Sequence, residues 1–363
     1  MANTLVNDIV YIMNLMWIFL IIIFVAYGQR IQLELNMRSV SKYVSSLESM
    51  AKSSMQRFID ELKKVGVSEN DAKQEAELLA NSFLISPTDL DPHGIVEKLD
   101  HLYRNYEKFF INRLKTLTKV SDDVKIKNLS GFAESVLALN EIYKYARHQY
   151  LSAKNYHDYY SLVMLQVQLP FIMEAAEAYF ASLDAISNGK TIGDGLGPLV
   201  AVQLASGANF YEIEEDTEVA ETYYKDRKLI IVKAKGPGST VGRPGEAVAK
   251  VIENYNPKIL ITVDAGLKFE GEETGETVEG FGVAMGGPGT DRFMIEEVAT
   301  KYKVPLHAFI VKMSLKEAIT EMNDRIRRAA LETVEKVKAL IEERTSPQET
   351  VVVVGVGNTL GIP

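Results

Sequence analysis

The spacing of apolar residues changes twice along this chain, and each change predicts a different kind of structure. "IVYIMNLMWIFLIIIFVAY", residues 9–27, has no charge and one amide, Asn14. As a helix it spans roughly 28 Å, close to the hydrocarbon thickness of a bilayer. From Ile31 to Asn188 apolar residues recur at threes and fours, which predicts helices almost throughout. Val40, Val44, Leu47, Ala51, Met55, Phe58, Leu62 and Val65 form one such stripe. It suits a long helix packed on its own domain, or a short coiled-coil seam between two copies. "SPTDLDPHG" (86–94) predicts a turn, and the run from Leu162 to Phe180 predicts a buried helix interrupted at Pro170.

Beyond "ISNGKTIGDG" the period shortens. "KLIIVKAKG", "KILITVDAG", "VEGFGVAMGG", "LHAFIVKM" and "VVVVGVG" read as strands. Between them "GEAVAKVIENY", "DRFMIEEVATKY" and a long segment opened by Ser314 and Glu317 read as helices. Such alternation predicts a mainly parallel sheet covered by helices. The expected fold is α+β overall, in three parts: an N-terminal transmembrane anchor (1–30), an all-α region (31–188) and an α/β domain (189–363).

Composition narrows the chemistry. Of the 363 residues 47% are apolar and 25% charged, the balance of a folding chain. A net charge of −9 argues against a protein that coats nucleic acid. With no cysteine, thiolate nucleophiles and zinc–thiolate sites are excluded. No Lys or Arg precedes the apolar run, whereas Arg30, Arg38 and Lys42 follow it. A cleaved signal peptide, with Ala26-Tyr27-Gly28 as its small-x-small site, is the competing reading. The length and flanks of the run favour a retained single span with the remainder in the cytoplasm, so that the first partner is the lipid bilayer. His148 and His157 lie nine apart, which fits no metal pair on one helix face, and His307 reads as a core histidine. A cofactor is not specified; no ligand motif supports a metal.

The candidate chemistry lies in three glycine-framed turns. In "TIGDGLGPLV" (191–200) Asp194 stands among Gly193, Gly195 and Gly197. It is either the N-cap of the next helix or a carboxylate cleared of neighbouring side chains for close approach. In "PKILITVDAGLKF" a strand runs into Asp264 at its carboxyl end, where sites form in open α/β sheets. If the two acids meet, one pKa rises and the pair can divide acid and base work on an amide. "KAKGPGSTVGRPGE" (233–246) offers Gly238, Ser239 and Arg243, with Lys233 and Lys235, as an anion cradle or a flap. It lacks the spacing of a P-loop. "GGPGTDRF" (286–293) adds Gly287 and Gly289 beside Asp291, and "VGVGN" adds Gly355, Gly357 and Asn358.

These motifs resemble the phosphorylase/hydrolase-like fold of spore germination proteases and hydrogenase-maturation endopeptidases. There a strand ends in a Gly-apolar-Gly turn, an Asp-small-apolar-Gly-Pro turn opens a helix, and a later strand ends in apolar-Asp-Ala. Here the counterparts are "VGVGN", "DGLGP" and "VDAG". The resemblance implies an aspartic pair of Asp194 and Asp264, with a peptide or protein as substrate. In those families "VGVGN" would come first, so a circularly permuted domain is implied, with the last residues returning beside Asp194. The histidine of the maturation enzymes is absent. The whole chain also resembles an archaeal membrane-protein family known as domain of unknown function 1512, which implies no particular activity. The alternative expectation is a membrane-tethered scaffold or sensor that binds an anion, nucleotide or partner protein through the same cleft.

Overall fold

The computed structural model describes residues 2–85, 94–156, 158–287 and 289–363, with the side chains of 2–9, 24–27 and 29–31 outside that description. The chain divides into two compact units, Met1–Lys52 with Leu139–Ala176 and Ser53–Ala138 with Glu177–Pro363. Five helices make up the first half: α1 (Ala2–Lys64), α2 (Glu69–Leu79), α3 (Ile95–Thr118), α4 (Asp123–Tyr156) and α5 (Tyr159–Ser187). Apart from Gly94, the expected turn at 86–94 lies outside the described residues, as does His157.

In the first unit the start of α1 accompanies the α4–α5 hairpin, where Tyr145 donates to Gln168 at 2.9 Å. Residues 10–23 of α1 are exposed on every side. Among the described residues no helix is long and apolar enough to cross a membrane. Residues 9 and 24–27 of the expected span have side chains outside the description. Helix α5 corrects one expectation: it continues through Pro170, and between Leu162 and Phe180 only Leu162, Leu165, Leu169, Ala176 and Ala178 are buried. Met164, Val167 and Phe171 are exposed. Most of the predicted stripe on α1 (Val40, Val44, Leu47, Ala51, Phe58 and Leu62) is buried, with Met55 and Val65 half-buried.

The second unit is built on a seven-stranded sheet. Its strands are β1 (Tyr211–Glu214), β2 (Thr217–Tyr224), β3 (Arg227–Ala234), β4 (Ile259–Leu267), β5 (Thr277–Phe281), β6 (Leu306–Met313) and β7 (Thr350–Gly355). The spatial order is β1-β2-β3-β7-β4-β6-β5. Only the central four, β3-β7-β4-β6, are parallel; β1, β2 and β5 pair antiparallel at the edges. The sheet is therefore mixed rather than mainly parallel. The difference comes from the β1–β2–β3 meander, whose turns at Asp216 and at Lys225-Asp226 have positive φ. Consecutive left-handed residues at 225–226 match the tight hairpin twist without the usual Asn-Gly signal.

Helices cover both faces. Leu196, Val200 and Leu204 of α6 (Leu196–Ala205) and Ile326, Ala330, Val337 and Leu340 of α10 (Asp324–Arg344) pack on Ile231, Ile261 and Val353. On the other face α7 (Pro244–Tyr255) and α8 (Thr290–Tyr302) bring Val248, Val251, Ile295 and Val298 onto Ile230, Leu260 and Val352. This burial on both sides explains why the central strands are almost uninterrupted runs of Val, Ile and Leu. The capping box at Ser314 is present, yet it opens only the short α9 (Leu315–Ile319). A second cap, Asn323, starts α10. The expected single helix is broken because Thr320–Met322 leaves the helix to bond the strand-like segment before Asp194, through Gly193 N–Thr320 O at 3.1 Å and Met322 N–Thr191 O at 2.8 Å.

Candidate functional site

Asp194 lies in a single 3-10 turn, Gly193–Gly195, that leads directly into α6. It is not an N-cap: neither helix start receives a side-chain capping bond, and its Oδ2 accepts the Asn358 N–H at 2.8 Å. The glycines let this turn press against other backbone. A Cβ on Gly193 would lie 2.2 Å from the Glu317 carbonyl oxygen. One on Gly197 would lie 2.1 Å from Val356 O and 2.4 Å from Val263 O. Small residues here are a packing requirement at the ends of β4 and β7.

The last residues supply the opposite wall. After β7 ends at Gly355, Val356 N donates to Val263 O at 2.9 Å, keeping the chain beside β4. Gly357 has φ 132°, and a Cβ there would lie 2.0 Å from the Asp194 carbonyl oxygen. Thr359 N bonds Thr240 O, and its fully buried hydroxyl lies 3.0 Å from Gly238 O. Gly361 N bonds Pro237 O at 2.9 Å. The segment 356–363 thus sits between the Asp194 turn and the loop 235–243.

Asp264, buried at the carboxyl end of β4, accepts the N–H groups of Ala265 at 2.7 Å and Gly286 at 3.1 Å. Burial, reinforced by the charge of Asp194, pushes its carboxyl up to about 8. Burial raises Asp194 as well, against the opposing pull of the Asn358 N–H. Both line a cavity of about 180 Å³, together with Val241, Pro244, Met285, Gly287, Val356 and Gly357. The strand-end location follows the rule for open α/β sheets.

A third acid, Asp291, which the sequence places only beside a glycine turn, also lines this cavity. It belongs to the first turn of α8 rather than to a strand end, where its carboxylate accepts Gly245 N at 2.8 Å. Burial raises its pKa too. The signal is its place two residues after "GGPG", in a glycine turn entering a helix. Among the described residues no group of three or more His, Asp or Glu side chains is arranged to hold a metal ion.

The loop 233–246 behaves differently from an open cradle. Lys233 is buried and paired with Glu218 at 3.0 Å, Lys235 pairs with Glu212, and the Arg243 guanidinium pairs with Glu107. Ser239 N donates to Asn128 Oδ1, Gly242 N to Thr240 Oγ1 and Arg243 N to Thr217 Oγ1. These donors satisfy the loop itself and its neighbours. Gly238 packs against Lys127, and Gly289 is the left-handed cap of α8 outside the cavity lining. Gly193, Gly195 and Gly355 act behind the site, as spacers against Glu317, Asn358 and Gly197 backbone. His307 is buried with its ring 5.3 Å from that of Phe281, and burial lowers its pKa.

Two family models describe the chain between them. Residues 14–189 match the N-terminal domain of a protein of unknown function, DUF1512, and residues 192–363 match the DUF1512 C-terminal domain of unknown function. A comparison with curated proteins finds no match. The boundary between the two matches falls just before the Asp194 turn, so the paired acids and the C-terminal wall all belong to the second domain. The chain is a member of the DUF1512 family.

Proposed function

We propose that this protein hydrolyses a peptide or amide bond with Asp194 and Asp264, and that residues 9–27 tether it to a membrane. The observation that carries the reading is a single cavity walled by two carboxyl groups in unlike environments. Asp264 is pushed up to about 8 and holds a proton at neutral pH. Burial raises Asp194 as well, but its charge is one of the causes that raise Asp264, so the pair holds a proton on Asp264 while Asp194, bonded by the Asn358 N–H, is the partner that ionises first. Paired acids whose environments differ divide into a general acid and a general base.

Asp194 takes a proton from water while the water oxygen bonds to the carbonyl carbon. Asp264 gives its proton to the carbonyl oxygen. As the tetrahedral intermediate collapses, the C–N bond breaks, the proton on Asp194 passes to the leaving nitrogen, and the hydroxyl proton returns to Asp264. Similarity of "DGLGP", "VDAG" and "VGVGN" to the turns of spore germination proteases supports this reading, with circular permutation accounting for the order. A non-catalytic anion sensor has less support, because the amides of Ser239, Gly242 and Arg243 are already engaged.

The test is cleavage of a peptide library by the full chain. Asp194→Asn, which keeps an acceptor for Asn358 N–H, should lower the rate by roughly 10²–10⁴-fold. The wild-type rate should fall above pH about 8 as Asp264 loses its proton. Unchanged cleavage by Asp194→Asn would remove the proposed base.

A further inference from the structure

The loop that borders the acid cavity also borders a second one. Val241, half exposed at the loop, lines both the cavity of Asp194 and Asp264 and a neighbouring cavity of about 130 Å³. Helices α3 and α4 form the far wall of the second cavity, facing Ser239–Arg243 and Asn358. Its charged side chains are matched in pairs with one exception. Arg243 pairs with Glu107, Lys127 with Asp216 at 2.6 Å, and Lys108 with Glu215 at 3.1 Å. Glu134 has the Ser130 hydroxyl at 3.3 Å and no cation among the described residues. Its side chain is open to the cavity, yet the surrounding protein and the charge of Glu107 push its carboxyl up to about 7. A cation delivered there would relieve that strain on the ionised form.

We propose that Glu134 and the hydroxyls of Ser130 and Ser239 receive the N-terminal ammonium group of a peptide whose third or neighbouring residue lies at Asp194 and Asp264. This assignment rests on the hydrolytic reading of that pair. A primary ammonium carries three donors and no acceptor, and Glu134, Ser130 and Ser239, among the oxygen-bearing side chains lining this cavity, offer it acceptors with no competing ion pair. A single unpaired carboxylate suits one monovalent cation, whereas a divalent metal would call for a larger set of acidic ligands.

The reach is also appropriate. Asn358 connects the two cavities: its N–H meets Asp194 Oδ2 at 2.8 Å and its Nδ2 meets Ser239 Oγ at 3.0 Å. One asparagine and two hydrogen bonds span the length of two or three residues of extended chain, at about 3.3 Å each. The cleaved bond would therefore lie close to the amino end of the substrate.

The test separates binding from cleavage. The probe is tetra-alanine, free or N-acetylated, titrated by calorimetry into the full chain carrying Asp194→Asn. The free peptide should bind about tenfold more tightly than the acetylated one, and adding Glu134→Gln should erase the difference. The Glu134→Gln protein should melt no lower than its parent, since it loses only an unpaired charge. An N-acetylated tetrapeptide with one lysine distinguishes the two sources of an ammonium group. Preference for that peptide over tetra-alanine would overturn the N-terminal assignment. Equal affinity for free and acetylated tetra-alanine, or no binding of either, would overturn the subsite altogether. Selective binding without any cleavage by the wild type would instead count against the catalytic pair and leave the subsite standing.

Discussion

A buried carboxyl that keeps its proton to about pH 8 makes the folded state sensitive to alkali. Unfolded, Asp264 titrates near about 3.9; folded, near about 8. Between those values the native chain holds a proton that the unfolded chain has released, so stability falls as pH rises through the window. The contribution is fully present below about pH 4 and is lost by about pH 8. Asp264→Asn removes the titration. Urea denaturation should show this variant gaining roughly 4 kcal/mol on the wild type between pH 5 and pH 8, at about 1.4 kcal/mol per pH unit. A constant difference between the two proteins across that range would contradict the buried, protonated acid. Steric demands at this scale are just as specific. Gly197→Ala sets a methyl group against two carbonyl oxygens and should cost about 1–3 kcal/mol, read as a lowered urea midpoint.

Elements place these residues through their ends. The break between α9 and α10 holds the Asp194 turn, because Gly193 and Thr191 bond the non-helical residues Thr320 and Met322. Asn323, whose side chain accepts Ile326 N at 3.0 Å, restarts the helix. Asn323→Ala should therefore cost about 1 kcal/mol of stability by denaturant titration. This region is helical, as its spacing predicts, but in two helices rather than one. Ser314 and Glu317 gave a start signal, but nothing in the local spacing marked the interruption, which exists to pair with residues more than a hundred positions earlier. The β1–β2 hairpin was missed for a related reason: its alternating Glu and Thr positions lack the apolar runs that announced the central strands.

For the whole molecule, residues 10–23 of α1 form an uncharged surface exposed all round, within an apolar run of bilayer length. If this run is an anchor, the full chain should sediment with membranes and resist extraction by high salt or alkaline carbonate. Removal of residues 1–30 should release it to the supernatant. A chain that washes off with salt would show that the run packs against protein instead.

By itself the amino-acid sequence determined what depends on neighbours in the chain. The apolar run, the helical stripes, the buried central strands and the glycine turns bearing Asp194 and Asp264 all express periodicity or local backbone demands. Tertiary structure decided which groups face each other. It set segment 356–363 beside Asp194, brought Asp291 into the acid cavity, and left Glu134 as the unpaired carboxylate of its neighbour. It also engaged the loop amides that a sequence reading leaves free to bind an anion. The physical reason is that hydrogen-bond partners and burial are properties of position in space. Residues 194 and 358 acquire their relation only when β7 inserts between β3 and β4.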